Sequence, residues 1–378
     1  MKKIKIVFIH TMLVQGGAEK ALYYLVKLLD KTKFDITVLT IYSGGELEDA
    51  FKNLGVKLRT LYSCSKRRKS FLEKAVNYLN VREKNALLRL NSKRLLKFVT
   101  GETYDIVVSY HIGNHHYCLG MPNRGKTIKY IHSDVLSFPK YLQGNEYIRR
   151  LNKKYDKIIC VSELARRSFE KEFGERNNIT SLINPLDTEE ILRLSCIESS
   201  FEINEPYIFA LGRFSKEKGF DRLLRVYRKL RDNSFMPLLV ISGDGREKDN
   251  LLRLAKQLGI GNYVYFTGFL SNPYSLMKNS RFVVVPSYSE GLSMVTMEAL
   301  CLGVPVVSTC ESVSELFGDQ CCGIITENSD NALFTGISLM NGEIYETSKI
   351  SAQKRSKEIS GKELVKFVEE EYERLVSP

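Results

Sequence analysis

Short apolar runs rich in Val and Ile recur along the whole chain, and no other feature restricts the fold as strongly. In the first half they are IKIVFI (4–9), FDITVLTI (34–41), a weaker VKLRTL (56–61), YDIVVSY (104–110), TIKYIH (127–132), KIICVS (157–162) and ITSLIN (179–184). A polar interval without strand character follows, and then a second series: YIFALG (207–212), PLLVISG (237–243), VYFTG (264–268), RFVVVPS (281–287), VPVVST (304–309) and CGIIT (322–326). Continuous apolar runs separated by helical patterns are the mark of strands buried on both faces, so they predict parallel sheets with crossover helices and an α/β fold. Open twisted sheets rarely exceed about 10 strands, and two doubly wound sheets therefore suit these runs better than one.

The domains follow from that division. We expect an N-terminal Rossmann-like domain over 1–184, a linker over 185–205 and a C-terminal Rossmann-like domain over 206–361. At 378 residues the chain is long enough for both, since a domain takes about 100–200 residues. Residues 362–378 space Leu364, Val365, Phe367, Val368, Tyr372 and Leu375 at helical intervals, which predicts a closing amphipathic helix placed to cross back to the N-terminal domain. In open parallel sheets the ligand lies beyond the carboxyl ends of the strands, so two such domains facing each other imply a cleft with its chemistry on the loops after strands.

Composition removes several classes. With 43% hydrophobic and 26% charged residues the chain reads as globular rather than disordered. No run approaches the roughly 18 apolar residues that a spanning helix needs. The N-terminal MKKIKIVFIH begins like a signal peptide, but His10 interrupts the apolar run and no A-x-A site follows. A first buried strand is the better reading. The eight cysteines form no CxxC pair and several sit in apolar runs, as expected of reduced thiols in a cytoplasmic protein.

The net charge of +12 is unevenly spread. Residues 1–184 hold 34 Lys and Arg against 17 Asp and Glu, whereas residues 185–378 hold 22 against 27. Residues 61–100 carry Lys66, Arg67, Arg68, Lys69, Lys74, Arg82, Lys84, Arg89, Lys93, Arg94 and Lys97 against only Glu73 and Glu83. Such a segment is either a solvated helix face or a surface for an anionic partner, a membrane at the inner face of the cell or a phosphorylated acceptor. Nucleic acid is not expected, because no helix-turn-helix, RNP or zinc signature accompanies the charge.

Chemistry-bearing residues stand after strands. Gly16 and Gly17 lie at a strand-to-helix turn, where backbone N–H groups can approach an anion; neither GxGxxG nor GxxxxGK[ST] is present. After YIFALG, Arg213 and Lys218 place two cations beside a helix start, which suits a diphosphate. In RFVVVPSYSEGLSMVTMEALCLGVPVVST (281–309), Glu290 lies in the loop, Ser293 is the expected N-cap, Glu298 stands about one turn inside the helix, and Gly303 with Pro305 ends it. Paired carboxylates accept hydrogen bonds from hydroxyls, so Glu290 and Glu298 suit a sugar and a ribose. The HIGNHH run (111–116) lacks the spacing of a zinc helix, and its histidines read as lining for an acceptor cleft rather than as metal ligands.

The Glu-x7-Glu element, the GRFSKEKG loop and the N-terminal GGAEK together resemble the retaining nucleotide-sugar glycosyltransferases of family 4, which have the GT-B fold. The resemblance runs over essentially the whole chain. It implies that Arg213 and Lys218 bind the donor diphosphate, Glu290 the donor-sugar hydroxyls and Glu298 the ribose. Gly291, Leu292 and Ser293 then offer backbone amides to sugar and phosphate, and Gly16 and Gly17 approach the diphosphate from the other domain. His132, in KYIHSD, matches the histidine that lies against the donor hexose. Many relatives have Phe-Gly where this chain has Leu292-Ser293, a difference that bears on sugar preference and not on reaction class. The implied activity is metal-independent transfer of a hexose or N-acetylhexosamine, with UDP as the default nucleotide, to a glycan or lipid-linked acceptor. No cofactor is expected, and no DxD-type acidic motif is evident. The rival readings are an epimerase on the same fold and a non-catalytic nucleotide-sugar-binding subunit.

Overall fold

The apolar runs become strands because each pairs with others of its kind, the central ones on both edges. In the computed structural model, which describes residues 2–62, 101–111, 114–121, 125–137, 146–199, 201–233 and 236–377, they form two wholly parallel sheets. The first holds β1 (Ile4–His10), β2 (Phe34–Tyr42), β3 (Lys57–Tyr62), β4 (Ile106–Ser109), β5 (Lys126–Ile131), β6 (Lys157–Cys160) and β7 (Ile179–Ser181), in the order β3-β2-β1-β4-β5-β6-β7. The second holds β8 (Tyr207–Leu211), β9 (Leu238–Ser242), β10 (Val264–Gly268), β11 (Val283–Val285), β12 (Val306–Ser308) and β13 (Gly323–Ile325), in the order β10-β9-β8-β11-β12-β13. Both orders reverse direction once, between β1 and β4 and between β8 and β11, and that reversal defines the doubly wound topology.

The chain divides into two compact units, Met1–Pro185 with Lys362–Pro378, and Leu186–Gly361. The division corrects the expected linker of 185–205, for residues from Leu186 onward already belong to the second unit. There Asp187 caps a helix, Thr188–Ser195, accepting from the Glu190 N–H at 2.9 Å, and Ile191 is buried. Its one-turn apolar face was too short to stand out in a polar interval.

The central strands supply the cores. Ile6, Val7, Phe8 and Ile9 of β1 are fully buried, as are Ile208, Phe209 and Ala210 of β8. The closing helix, Gly361–Val376, packs within the first unit: Tyr372 meets Tyr130 through their hydroxyls at 2.8 Å, the Asp30 N–H donates to Glu369 at 2.7 Å, and Lys157 pairs with Glu371 at 2.7 Å. Val365, Val368 and Tyr372 face inward while Phe367 is exposed, since it lies two positions, or about 200° of helix turn, from Val365. The basic segment of 61–100 lies, beyond Tyr62, outside the described residues. Among the described residues no helix is long and apolar enough to cross a membrane.

Candidate active site

In the second unit the two loops singled out by sequence follow adjacent strands at the reversal of strand order. The loop after β8 is anchored by Phe214, fully buried, whose N–H donates to the Asp244 carbonyl at 2.9 Å; this leaves Arg213 exposed beside it. A single 3-10 turn, Lys216–Lys218, leads to Gly219 at φ +65°. A Cβ there would come to 2.1 Å from the Pro286 carbonyl at the end of β11, so both conformation and space require glycine. The close approach brings the loops together. Tyr288 N–H donates to the Glu217 carbonyl at 2.8 Å, and Lys218 Nζ donates to Glu290 Oε1 at 2.6 Å, an oxygen that also accepts from Ser287 Oγ at 2.8 Å.

The helix Met294–Cys301 begins as the sequence indicates. Ser293 caps it, its Oγ accepting from Thr296 N–H at 3.2 Å, and Leu302 with Gly303 at φ +69° closes it. Gly291 stands in the loop, Leu292 and Ser293 are buried, and Glu298 is 1% exposed in the second turn. Cys310 lies under this loop with its Sγ 3.4 Å from the Ser287 carbonyl, and burial pushes its thiol up to about 12. It therefore stays protonated near neutral pH and supplies no nucleophile.

Sequence reasoning missed Arg222. This side chain is 1% exposed, stacks at 4.3 Å over the Tyr288 ring and donates from Nη1 to Asn328 Oδ1 at 2.6 Å, while Asn328 Nδ2 donates to the Tyr288 carbonyl at 2.6 Å. The three residues brace the Glu290 loop from below. An arginine on a charged-looking helix face, FDRLLRVYRKL, gives no local sign that it points inward.

In the first unit Gly16 is the N-cap of the helix Gly17–Leu28, with φ −158°, and its carbonyl accepts from Lys20 N–H at 3.0 Å. Neither Gly16 nor Gly17 has a positive φ, so the backbone conformation does not require glycine there. His132 follows β5, stacks on Tyr130 at 16° between planes, and lies 4.5 Å from the Tyr110 ring. Burial, with His111 nearby, lowers it to about 3, and a bond to the Tyr110 backbone opposes this; its Nε2 is buried and makes no hydrogen bond among the described residues. The imidazole is thus neutral near pH 7. His115 is held in the core by Lys129 and Tyr155 rather than lining a surface. Among the described residues, His10, Glu19 and His111 are the group with atoms close enough to share a cation, all within 4.8 Å.

Sequence models of two families match this chain: "Glycosyltransferase Family 4" over residues 15–190 and "Glycosyl transferases group 1" over residues 197–340. Each of the two units is thus similar to a glycosyltransferase family model. A Campylobacter jejuni relative, named N-acetylgalactosamine-N,N'-diacetylbacillosaminyl-diphospho-undecaprenol 4-alpha-N-acetylgalactosaminyltransferase, is 33% identical over 47% of this chain and 48% of its own. An Escherichia coli O-antigen biosynthesis glycosyltransferase, WclY, is 30% identical over 44% of this chain and 47% of its own. The chain spans about half the length of the curated relatives it matches. Among solved structures, Anabaena HepE in complex with UDP-glucose superposes with a TM-score of 0.73 at 18% identity, covering 98% of this chain and 100% of that one. The chain thus has the GT-B fold.

Proposed function

We propose that this glycosyltransferase moves a hexose or N-acetylhexosamine, with retention of configuration, from a UDP-sugar to a hydroxyl of a glycan or lipid-linked acceptor. The observation that carries the reading is the 2.6 Å pair of Lys218 and Glu290, which joins the loops after β8 and β11 where the strand order reverses. Arg213 and Lys218 bind the diphosphate, Glu290 takes the sugar hydroxyls and Glu298 the ribose. Gly291, Leu292 and Ser293 offer amides to sugar and phosphate, Gly16 and Gly17 approach the diphosphate, and His132 lies beside the hexose. Until donor arrives, Lys218 and Glu290 neutralise each other.

The mechanism follows from charge. As the bond from the anomeric carbon to the phosphate oxygen breaks, positive charge grows on the ring and negative charge on the departing diphosphate. Arg213 and Lys218 meet the second, so diphosphate departure needs no metal in this reading. The acceptor oxygen bonds to the anomeric carbon on the face the phosphate leaves, and its proton passes to the leaving phosphate oxygen. A neutral His132 keeps cationic charge away from the developing ring charge. The names of the C. jejuni relative, with its diphospho-undecaprenol acceptor, and of the HepE complex with UDP-glucose support the acceptor and donor classes.

A thermal-shift panel of nucleotides and nucleotide sugars tests the donor, since a ligand bound only by the native state raises Tm by mass action. Product analysis with and without a lipid-linked glycan then tests transfer. UDP-sugars should raise Tm and yield UDP with a lengthened acceptor; conversion of the sugar with donor alone would make the protein an epimerase, and no shift with any nucleotide sugar would end the reading.

A further inference from the structure

At the carboxyl end of the first sheet, three side chains from separate segments converge on a point that the transfer reading does not use. His10 closes β1, Glu19 stands in the first turn of the helix Gly17–Leu28, and His111 follows β4. One ligand atom of each lies within 4.8 Å of the other two, and the imidazole centroids are 4.9 Å apart. β1 and β4 are the strands between which the order reverses, where doubly wound sheets take ligands.

The surrounding hydrogen bonds decide which ring nitrogen of each histidine carries the proton. His10 Nδ1 lies 3.0 Å from the Met12 carbonyl, which can only accept, so Nδ1 carries the proton and Nε2 the lone pair. That Nε2 is buried, makes no hydrogen bond, and faces Glu19 Oε1 at 3.8 Å. For His111 the proton is fixed through two neighbours, Thr11 and Asn114. Asn114 Nδ2 donates to the Ile9 carbonyl, which fixes the amide and leaves Oδ1 to accept the single hydroxyl proton of Thr11 at 3.3 Å. The 3.1 Å contact between Thr11 Oγ1 and His111 Nδ1 then needs its proton from the ring, so His111 also keeps its lone pair on Nε2.

We propose that His10, Glu19 and His111 form a binding site for a divalent cation of the zinc class. Two imidazoles and a carboxylate are a zinc donor set, and tying each outer ring N–H to an oxygen is how metal-binding histidines are oriented. Metal–ligand bonds of about 2.0–2.2 Å set tetrahedral ligand atoms roughly 3.3 Å apart, so the group, 3.8 Å between His10 and Glu19 and within 4.8 Å throughout, closes on an ion by drawing in about 1.5 Å at most. Thr11, Met12 and Asn114 hold the rings, and the bound water of a fourth position completes the coordination. The cations assigned to the diphosphate lie in the second unit, whereas this site stands in the first, close to Gly17 and His132, so metal uptake and donor binding are measured separately.

Titration of the chelator-treated full chain with Zn2+ by calorimetry, and with Co2+ by visible absorption, tests the site. One equivalent per chain is expected, with Co2+ bands free of thiolate charge transfer and a rise in Tm. Thr11→Val should weaken binding about 10–100-fold, as loss of an outer partner does, and Glu19→Gln and His111→Asn by more. Circular dichroism of the ion-free variants checks that they fold; should Glu19→Gln fail, His111→Asn carries the test. Failure to take up one equivalent, thiolate bands, or affinity unchanged in both ligand variants would overturn the proposal. Donor binding measured on the same samples keeps its failure separate from failure of the transfer reading.

Discussion

Lys218 and Glu290 are each other's nearest counter-charge, so neither can be changed without stranding the other. Arg213→Ala and Lys218→Ala are each expected to lower kcat by about 100–1000-fold, the usual cost of one preorganised contact to developing charge, with Tm nearly unchanged for exposed Arg213. A double-mutant cycle of Lys218→Met and Glu290→Gln should be non-additive by roughly 0.5–3 kcal/mol; additive effects would mean that the pair does not act as a unit. Glu298→Gln should raise the donor Kd more than it lowers kcat, read by calorimetry and saturating-donor assays. At Gly219 the constraint is steric, and Gly219→Ala should move the urea midpoint down by the equivalent of at least about 1–3 kcal/mol, since it adds left-handed strain to the contact with Pro286. Lys129 gives the pH dependence. It is 5% exposed in β5, bonded to Asn152 at 2.7 Å and His115 at 3.3 Å, and burial lowers it to about 7, against the opposing pull of Cys160 and Cys118. Between about pH 7 and its unfolded value near 10.5 the unfolded chain binds the extra proton, so stability rises with pH by up to about 1.4 kcal/mol per unit. Above pH 9 the buried thiols Cys118 and Cys160, raised to about 12, act in the opposite sense. Urea melts from pH 6 to 9 should therefore show a rise that Lys129→Met flattens.

At the scale of elements, the closing helix carries the most checkable claim. Its buried face of Val365, Val368 and Tyr372 covers strands β1, β2 and β5 through Phe8, Phe34 and Tyr130. Tyr372→Phe removes one buried hydroxyl pair and should cost about 1 kcal/mol or more, because Tyr130 is left without its partner. Truncation after Gly361 should increase hydrogen exchange in β1, β2 and β5 while amides of β8 and β9 keep their protection; equal loss in both units would show that they unfold as one. Ser293→Ala, which removes the cap of Met294–Cys301, should cost about 1 kcal/mol. The same element explains why two cysteines in ALCLG and VSTC are silent: the helix and its following strand bury them, and burial raises both Cys301 and Cys310 to about 12.

For the molecule as a whole, the excess of positive charge belongs to the first half of the sequence, and residues 61–100 concentrate it. A polybasic segment gains about 1 kcal/mol per Lys or Arg beside anionic headgroups, screened within a Debye length. Co-sedimentation with liposomes is expected to require anionic lipid, to fall with added salt and to vanish when Lys66, Arg67, Arg68 and Lys69 are changed to Glu. Equal binding to neutral vesicles, or none to either kind, would leave the charge as a solvated face.

Strands and loop motifs were legible in the sequence because both are local. A strand buried on two faces needs an unbroken apolar run whatever its neighbours are, and a helix cap such as Ser293 acts within three residues. The loops GRFSKEKG and SYSEGLS could be read as one site only because parallel sheets place such loops at the same end. Tertiary structure decided everything that depends on which segments meet. His10, Glu19 and His111 are scattered over about a hundred residues and meet only because β1 pairs with β4, a partnership no single segment encodes. Arg222 and Lys129 look like surface charges in sequence, yet their burial is set by Tyr288 and Asn328 in one case and by Asn152 and His115 in the other. A local pattern reports the preference of one element for water or core, while the partner that makes a buried charge tolerable arrives from elsewhere in the chain.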